Sequence, residues 1–130
     1  MDEALAHFHL FRSDRNGPPF AAPCSWSDNL ESAKARRAQL VWSHGFGTIW
    51  VADICVQASR LLDLRADPAP VWALLDRSPG SARLRDAIHE GAAALIERGY
   101  RLVAFDEDDQ PGAEYVYLAG QPVEAVRAEA

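Results

Sequence analysis

A carboxylate on an otherwise apolar strand is the first residue in this sequence that needs explaining. Glu114 opens the run Glu114-Tyr115-Val116-Tyr117-Leu118, and the alternation of side chains along a strand puts it on one face with Val116 and Leu118. A carboxylate aligned with core-facing residues is solvated at the strand end, paired, or chemically employed. Arg12 poses the complementary question. It follows the run His7-Phe8-His9-Leu10-Phe11 and precedes Ser13. An arginine at a strand end is an anion clamp, because its planar fork matches phosphate oxygens two at a time; the plainer reading is a surface guanidinium in water. Trp26-Ser27-Asp28 sets a large aromatic beside a hydroxyl where a helix begins. Such a corner can stack a planar ring and hydrogen-bond a ligand through free backbone N–H groups, or it is simply a cap with a core tryptophan next to it.

Metal chemistry has less to stand on. Asp106, Glu107, Asp108 and Asp109 offer oxygen ligands for a hard cation, but without EF-hand spacing or its turn glycine they read as a solvated hairpin tip. His7, His9, His44 and His89 are scattered, and no metal-ligand spacing joins them. A serine elbow, a glycine-rich phosphate loop and a zinc knuckle are all missing from the sequence.

The elements that must position these residues are legible from periodicity. Residues 7–11 read as a strand, followed by a turn-rich loop over 13–23 that carries Phe20. A helix starts at Ser27 or Asp28, with Asp28 and Glu31 as a capping box, and stops at Gly45. Residues 48–56 form a strand with Ile49, Val51 and Asp53 on one side and Trp50, Ala52 and Ile54 on the other. Leu61, Leu62 and Leu64 make a short extended piece, and Pro70 opens a short helix to Leu75. A further helix, capped by Ser81, carries Leu84, Ala87, Ile88, Gly91, Ala92, Leu95 and Ile96 on one face and ends at Gly99. Strands over 102–105 and 114–118 form a hairpin around the acidic turn. The tail after Pro122 is a short strand or a frayed helix. Strands at both ends with helices between them predict an α+β domain.

A chain of 130 residues, 48% hydrophobic and 25% charged, fits one domain over residues 1–130 that needs no disulfide or metal staple. Cys24 and Cys55 read as reduced, mostly packed thiols, and the habit is cytoplasmic, with delivery to another cell by a route lacking a classical leader left open. A net charge of −6 argues against a duplex nucleic-acid partner. No apolar run approaches the ~20 residues of a membrane span.

Taken in order, Leu10-Phe11-Arg12-Ser13, Trp26-Ser27-Asp28, Thr48-Ile49-Trp50-Val51-Ala52-Asp53-Ile54, Arg60-Leu61-Leu62-Asp63-Leu64, Gly99-Tyr100-Arg101-Leu102-Val103-Ala104-Phe105 and Glu114-Tyr115-Val116-Tyr117-Leu118 resemble the landmarks of small proteins of the ADP-ribosyltransferase-like superfamily. The resemblance implies a split, mostly antiparallel sheet that clamps NAD in a central cleft. It implies that Arg12, with Ser13 beside it, grips the ribose or pyrophosphate, that Trp26 and Ser27 lie beside the nicotinamide, and that Glu114 hydrogen-bonds the nicotinamide ribose as the catalytic acid residue. The implied activity is mono-ADP-ribosyl transfer or NAD hydrolysis by a bacterial toxin- or effector-like protein. Its acceptor would be a protein side chain, a nucleic acid end or water. Arg12 departs from the members that carry histidine in the first motif. Gly112 stands where the second acid of an arginine-directed enzyme would be, and Arg101 replaces an aspartate of the late strand. The alternative, drawn from the charge and the acidic turn, is a non-catalytic acidic binding module of immunity or inhibitor type with no cofactor.

Overall fold

The apolar runs become seven strands in a computed structural model that describes residues 4–106 and 110–128. These are β1 (Leu5–Asp14), β2 (Cys24–Ser27), β3 (Thr48–Gln57), β4 (Leu61–Asp63), β5 (Leu102–Asp106), β6 (Ala113–Tyr117) and β7 (Val126–Arg127). The helices are α1 (Leu30–His44), α2 (Ala69–Leu74), α3 (Leu84–Glu90) and α4 (Ala92–Glu97). All the strands lie in one sheet, ordered β4-β5-β6-β2-β1-β3-β7, in which β4 pairs parallel with β5 and every other pairing is antiparallel. The α+β expectation holds in this form: a mostly antiparallel sheet with helices. Among the described residues no helix is long and apolar enough to cross a membrane.

The sheet is unevenly sewn. β1 and β3 are paired along their whole length, from Leu5 opposite Gln57 to Asp14 opposite Thr48. β2 is paired with β6 through all four of its residues. Between β1 and β2, however, the register holds a single pair, Phe11 opposite Ser27. One face of the sheet is backed by a continuous apolar cluster that runs beneath this seam. Leu10, Ala52 and Ile54 come from one side of it, and Trp26, Tyr115, Leu102 and Ala104 from the other. On the opposite face α2, α3 and α4 cover β5 and β6 through Val71, Ile88, Leu95, Val103, Phe105 and Val116.

Several boundaries differ from the sequence reading, each for a physical reason. α1 is capped by Asn29 rather than Ser27 or Asp28: the Asn29 side chain accepts from the backbone N–H of Glu31 at 2.9 Å and of Ser32 at 3.3 Å. Asp28 is employed elsewhere, its Oδ1 accepting from the Ala113 N–H at 2.8 Å and its Oδ2 from the Tyr115 hydroxyl at 3.2 Å. Asn29→Ala is expected to cost about 1 kcal/mol of stability, the usual worth of a side-chain cap. A urea midpoint that falls at unchanged slope would show it, and an unmoved midpoint would assign the cap to another group.

The single long helix expected over residues 84–96 is two helices that meet at Gly91. A Cβ at Gly91 would lie 2.2 Å from Leu75 Cδ2, so glycine there lets the Leu75 side chain, just past the end of α2, pack against the junction without shifting. Ser81 does not cap this pair, since Arg83 occupies the cap position without a side-chain bond. β2 occupies residues 24–27, between the expected loop and the helix, and β7 resolves the tail as a two-residue strand. Cys24 is buried, but Cys55 is exposed on β3. Of the acidic row, Asp106 ends β5 exposed, whereas Glu107, Asp108 and Asp109 lie outside the described residues.

Candidate functional site

Where β1 and β2 part, the sheet floor opens into a cleft of about 430 Å³ between α1 and α3. Arg12, Ser13, Trp26, Ser27 and Glu114 all contribute to its lining. Arg85 and His89 of α3 enter it from the other wall. The two residues that the sequence reading set at opposite ends of the chain therefore share one opening.

Glu114, the second residue of β6, pairs with Ser27, and opposed residues of an antiparallel pair share a face. The expectation that it lies on the face of Val116 is met, but it does not simply see water. The residue is 9% exposed, and Arg85 grips its carboxylate with both arms: Nε donates to Oε2 at 2.7 Å and Nη2 to Oε1. A bidentate guanidinium fixes the plane of the carboxylate and leaves each oxygen a further lone pair. Asp28 steadies the same corner by tying the start of β6 to the end of β2. Its contact with Tyr115, together with burial as the larger cause, pushes the Tyr115 phenol up to about 12.

Arg12 lies in the parting itself. Its Nη1 donates to the Ser25 carbonyl at 2.8 Å, in place of the ladder bonds that the strands do not make there. Its Nε and Nη2 reach Asp14 at 3.1 and 3.0 Å, and its guanidinium carbon lies 5.2 Å from the centre of the Phe20 ring. Ser13 Oγ donates to the Ala33 carbonyl of α1, and Ser27 Oγ accepts from the Asn29 N–H at 3.1 Å. These serines shape the floor where helix and strands join.

Trp26 departs from its expected role. Its side chain belongs to the buried cluster behind the sheet, 2% exposed, with its ring edge-on to Phe20 and its Nε1–H donating to Cys24 Sγ at 3.2 Å. Alternation along β2 sends Cys24 and Trp26 into that core and leaves Ser25 and Ser27 on the other face. The indole is thus not presented for stacking on a ligand ring.

Two residues of the cleft, Arg85 and Ser25, were not singled out in the sequence, and a third, His89, was weighed there only as a metal ligand. Arg85 and His89 sit four apart on α3, on the polar side of a helix that announces itself by its apolar side. Ser25 stands in the alternating run Cys24-Ser25-Trp26-Ser27, which was the available signal for β2. Ser25 Oγ and His89 Nε2 are 2.7 Å apart. Burial first, and then the charges of Arg85 and Arg12, lower the His89 pKa from its ordinary value, against the opposing pull of Asp86 and Glu114.

In a chain of net charge −6, the cleft is a basic exception. Arg12, Arg36, Arg83 and Arg85 all line it, and Glu114 is the single carboxylate among the described lining residues. A concave site of this sign draws an anionic ligand, and low-dielectric walls strengthen the pull. Among the described residues no group of three or more His, Cys, Asp or Glu side chains is arranged to hold a metal ion. No known family model and no curated protein matches the chain.

Proposed function

We propose that the chain is an NAD-cleaving enzyme, an ADP-ribosyltransferase or NAD glycohydrolase, whose reaction centre is the cleft between β1 and β2. The observation that carries this reading is the meeting of Arg12, Ser27 and Glu114 in the lining of one arginine-rich opening, at the seam where β1 and β2 share a single register pair. The arginines supply the positive charge that a diphosphate requires. Glu114 supplies an oriented carboxylate beside them, and its remaining lone pairs can accept from a ribose hydroxyl. Cleavage of the nicotinamide–ribose bond develops positive charge on the sugar, and a carboxylate held in place before the reaction stabilises that charge where it appears.

The other reading, an acidic binding module, gains nothing from a cleft whose local charge is opposite to that of the chain. The two part on one measurement. Titrating NAD into the protein and following free nicotinamide is expected to show saturable heat and slow product release. Neither heat nor nicotinamide at millimolar NAD would return the protein to the binding-module class.

A further inference from the structure

We propose that His89 is the general base of the cleft and that the acceptor it serves is a hydroxyl, of water or of an alcohol side chain, relayed through Ser25. The proposal rests on the NAD-cleaving reading above. Its own ground is the contact of Ser25 Oγ with His89 Nε2 at 2.7 Å, inside the cleft that also holds Glu114 and Arg12. Both partners are anchored. Ser25 is a paired residue of β2 whose carbonyl is held by Arg12 at 2.8 Å, and His89 stands one helical turn beyond Arg85, which grips Glu114. The base and the carboxylate are therefore set on one wall and one floor of the same cavity.

The surroundings fit an imidazole that accepts a proton at neutral pH. Arg85 on α3 and Arg12 on β1 oppose a positive charge on the ring, as does its partial burial, while Asp86 on α3 and Glu114 on β6 favour one. The former prevail, so the neutral ring is favoured. With Nδ1 carrying the ring hydrogen, Ser25 Oγ–H donates to Nε2.

In the reaction, the acceptor oxygen forms its bond to C1′ of the ribose as the bond from C1′ to the nicotinamide nitrogen breaks. The electron pair of that bond leaves with nicotinamide, whose pyridinium charge it cancels. The acceptor's proton passes to Ser25 Oγ as the Ser25 proton passes to His89 Nε2. A hydroxyl needs such a base; a carboxylate or azide nucleophile has no proton to lose.

The test compares water with azide as acceptor for the full chain, with nicotinamide release as the readout. His89→Gln keeps a hydrogen-bonding group towards Ser25 but cannot take the proton, and it is expected to lower kcat with water by about 10²-fold. KM for NAD should stay within about twofold, the pattern of an interaction made only in the transition state. Azide should restore release to near the wild-type rate and appear in the product. Ser25→Ala, which removes the relay with a smaller change, is expected to show the same split between water and azide. An equal loss with both acceptors would overturn the proposal and make His89 a residue that only holds the site's shape, and so would unchanged hydrolysis in both variants. Failure of the wild-type chain to release nicotinamide would instead remove the enzyme reading itself, and this proposal with it.

Discussion

Replacement of Glu114 by glutamine is expected to slow nicotinamide release by ~10²–10³, the usual cost of removing one oriented electrostatic group from a reaction centre. The substitution preserves volume and leaves an amide oxygen for Arg85, so the side chain remains in the same corner between β2 and β6. Arg85 loses an ionic partner, but its side chain is 26% exposed and can recover water. Folding should therefore persist, and a melting curve recorded beside the assay separates a lost reaction from a lost protein. NAD affinity should change little, because the arginines proposed to meet the diphosphate are untouched. A Glu114→Gln protein that releases nicotinamide at the wild-type rate would strip this carboxylate of the catalytic role proposed for it.

Trp26→Ala is expected to cost about 3–5 kcal/mol of stability, as for other large-to-small changes at buried aromatics. That is a large part of the ~5–15 kcal/mol by which a domain of this size is stable. The loss arises behind the sheet. The ring packs edge-on to Phe20 at 5.7 Å between centroids, and its N–H is satisfied by Cys24. Trp26→Phe keeps most of that packing and should retain most of the stability. Urea unfolding of the two variants measures the difference. If Trp26→Ala were as stable as the parent yet failed to bind NAD, the ring would have to reach the ligand, and its burial here would not be its working position.

Of the residues singled out in the sequence, Arg12 and Glu114 line the cleft, whereas the Trp26 ring packs into the core behind the sheet, and the reason is the geometry of β2. Arg12 and Glu114 were found because each interrupts an apolar strand, which leaves a polar group to account for. Trp26 was placed with them because it neighbours Ser27 in sequence, although neighbours in a strand point to opposite faces. Had residues 24–27 been read as a strand, the alternation of Cys24 and Trp26 with Ser25 and Ser27 would have exchanged Trp26 for Ser25. A four-residue strand after a proline-rich loop gives little local signal, however. Its pairing partner is β6, far along the chain, and such pairings are written in tertiary packing more than in propensity. Arg85 and His89 were unreadable for a different reason. A helix's apolar stripe shows which side is buried but not which solvent-side residues will meet another element's polar edge. The break at Gly91 likewise depends on Leu75, a contact between helices that periodicity within one of them does not encode.

The thin seam between β1 and β2 also decides how the molecule yields. Phe8 of β1 lies against Tyr115 of β6, ring centres 4.9 Å apart, so the two sides are joined from behind by interlocked aromatic surfaces more than by a ladder. Backbone ladders are directional and must break to part, whereas apolar contact is non-directional and tolerates sliding. The arrangement is that of a bound book whose spine is glued rather than stitched: it can widen by small amounts at the fore-edge without tearing. Any widening there would repack the apolar spine and leave the full pairings of β1 with β3 and of β2 with β6 intact.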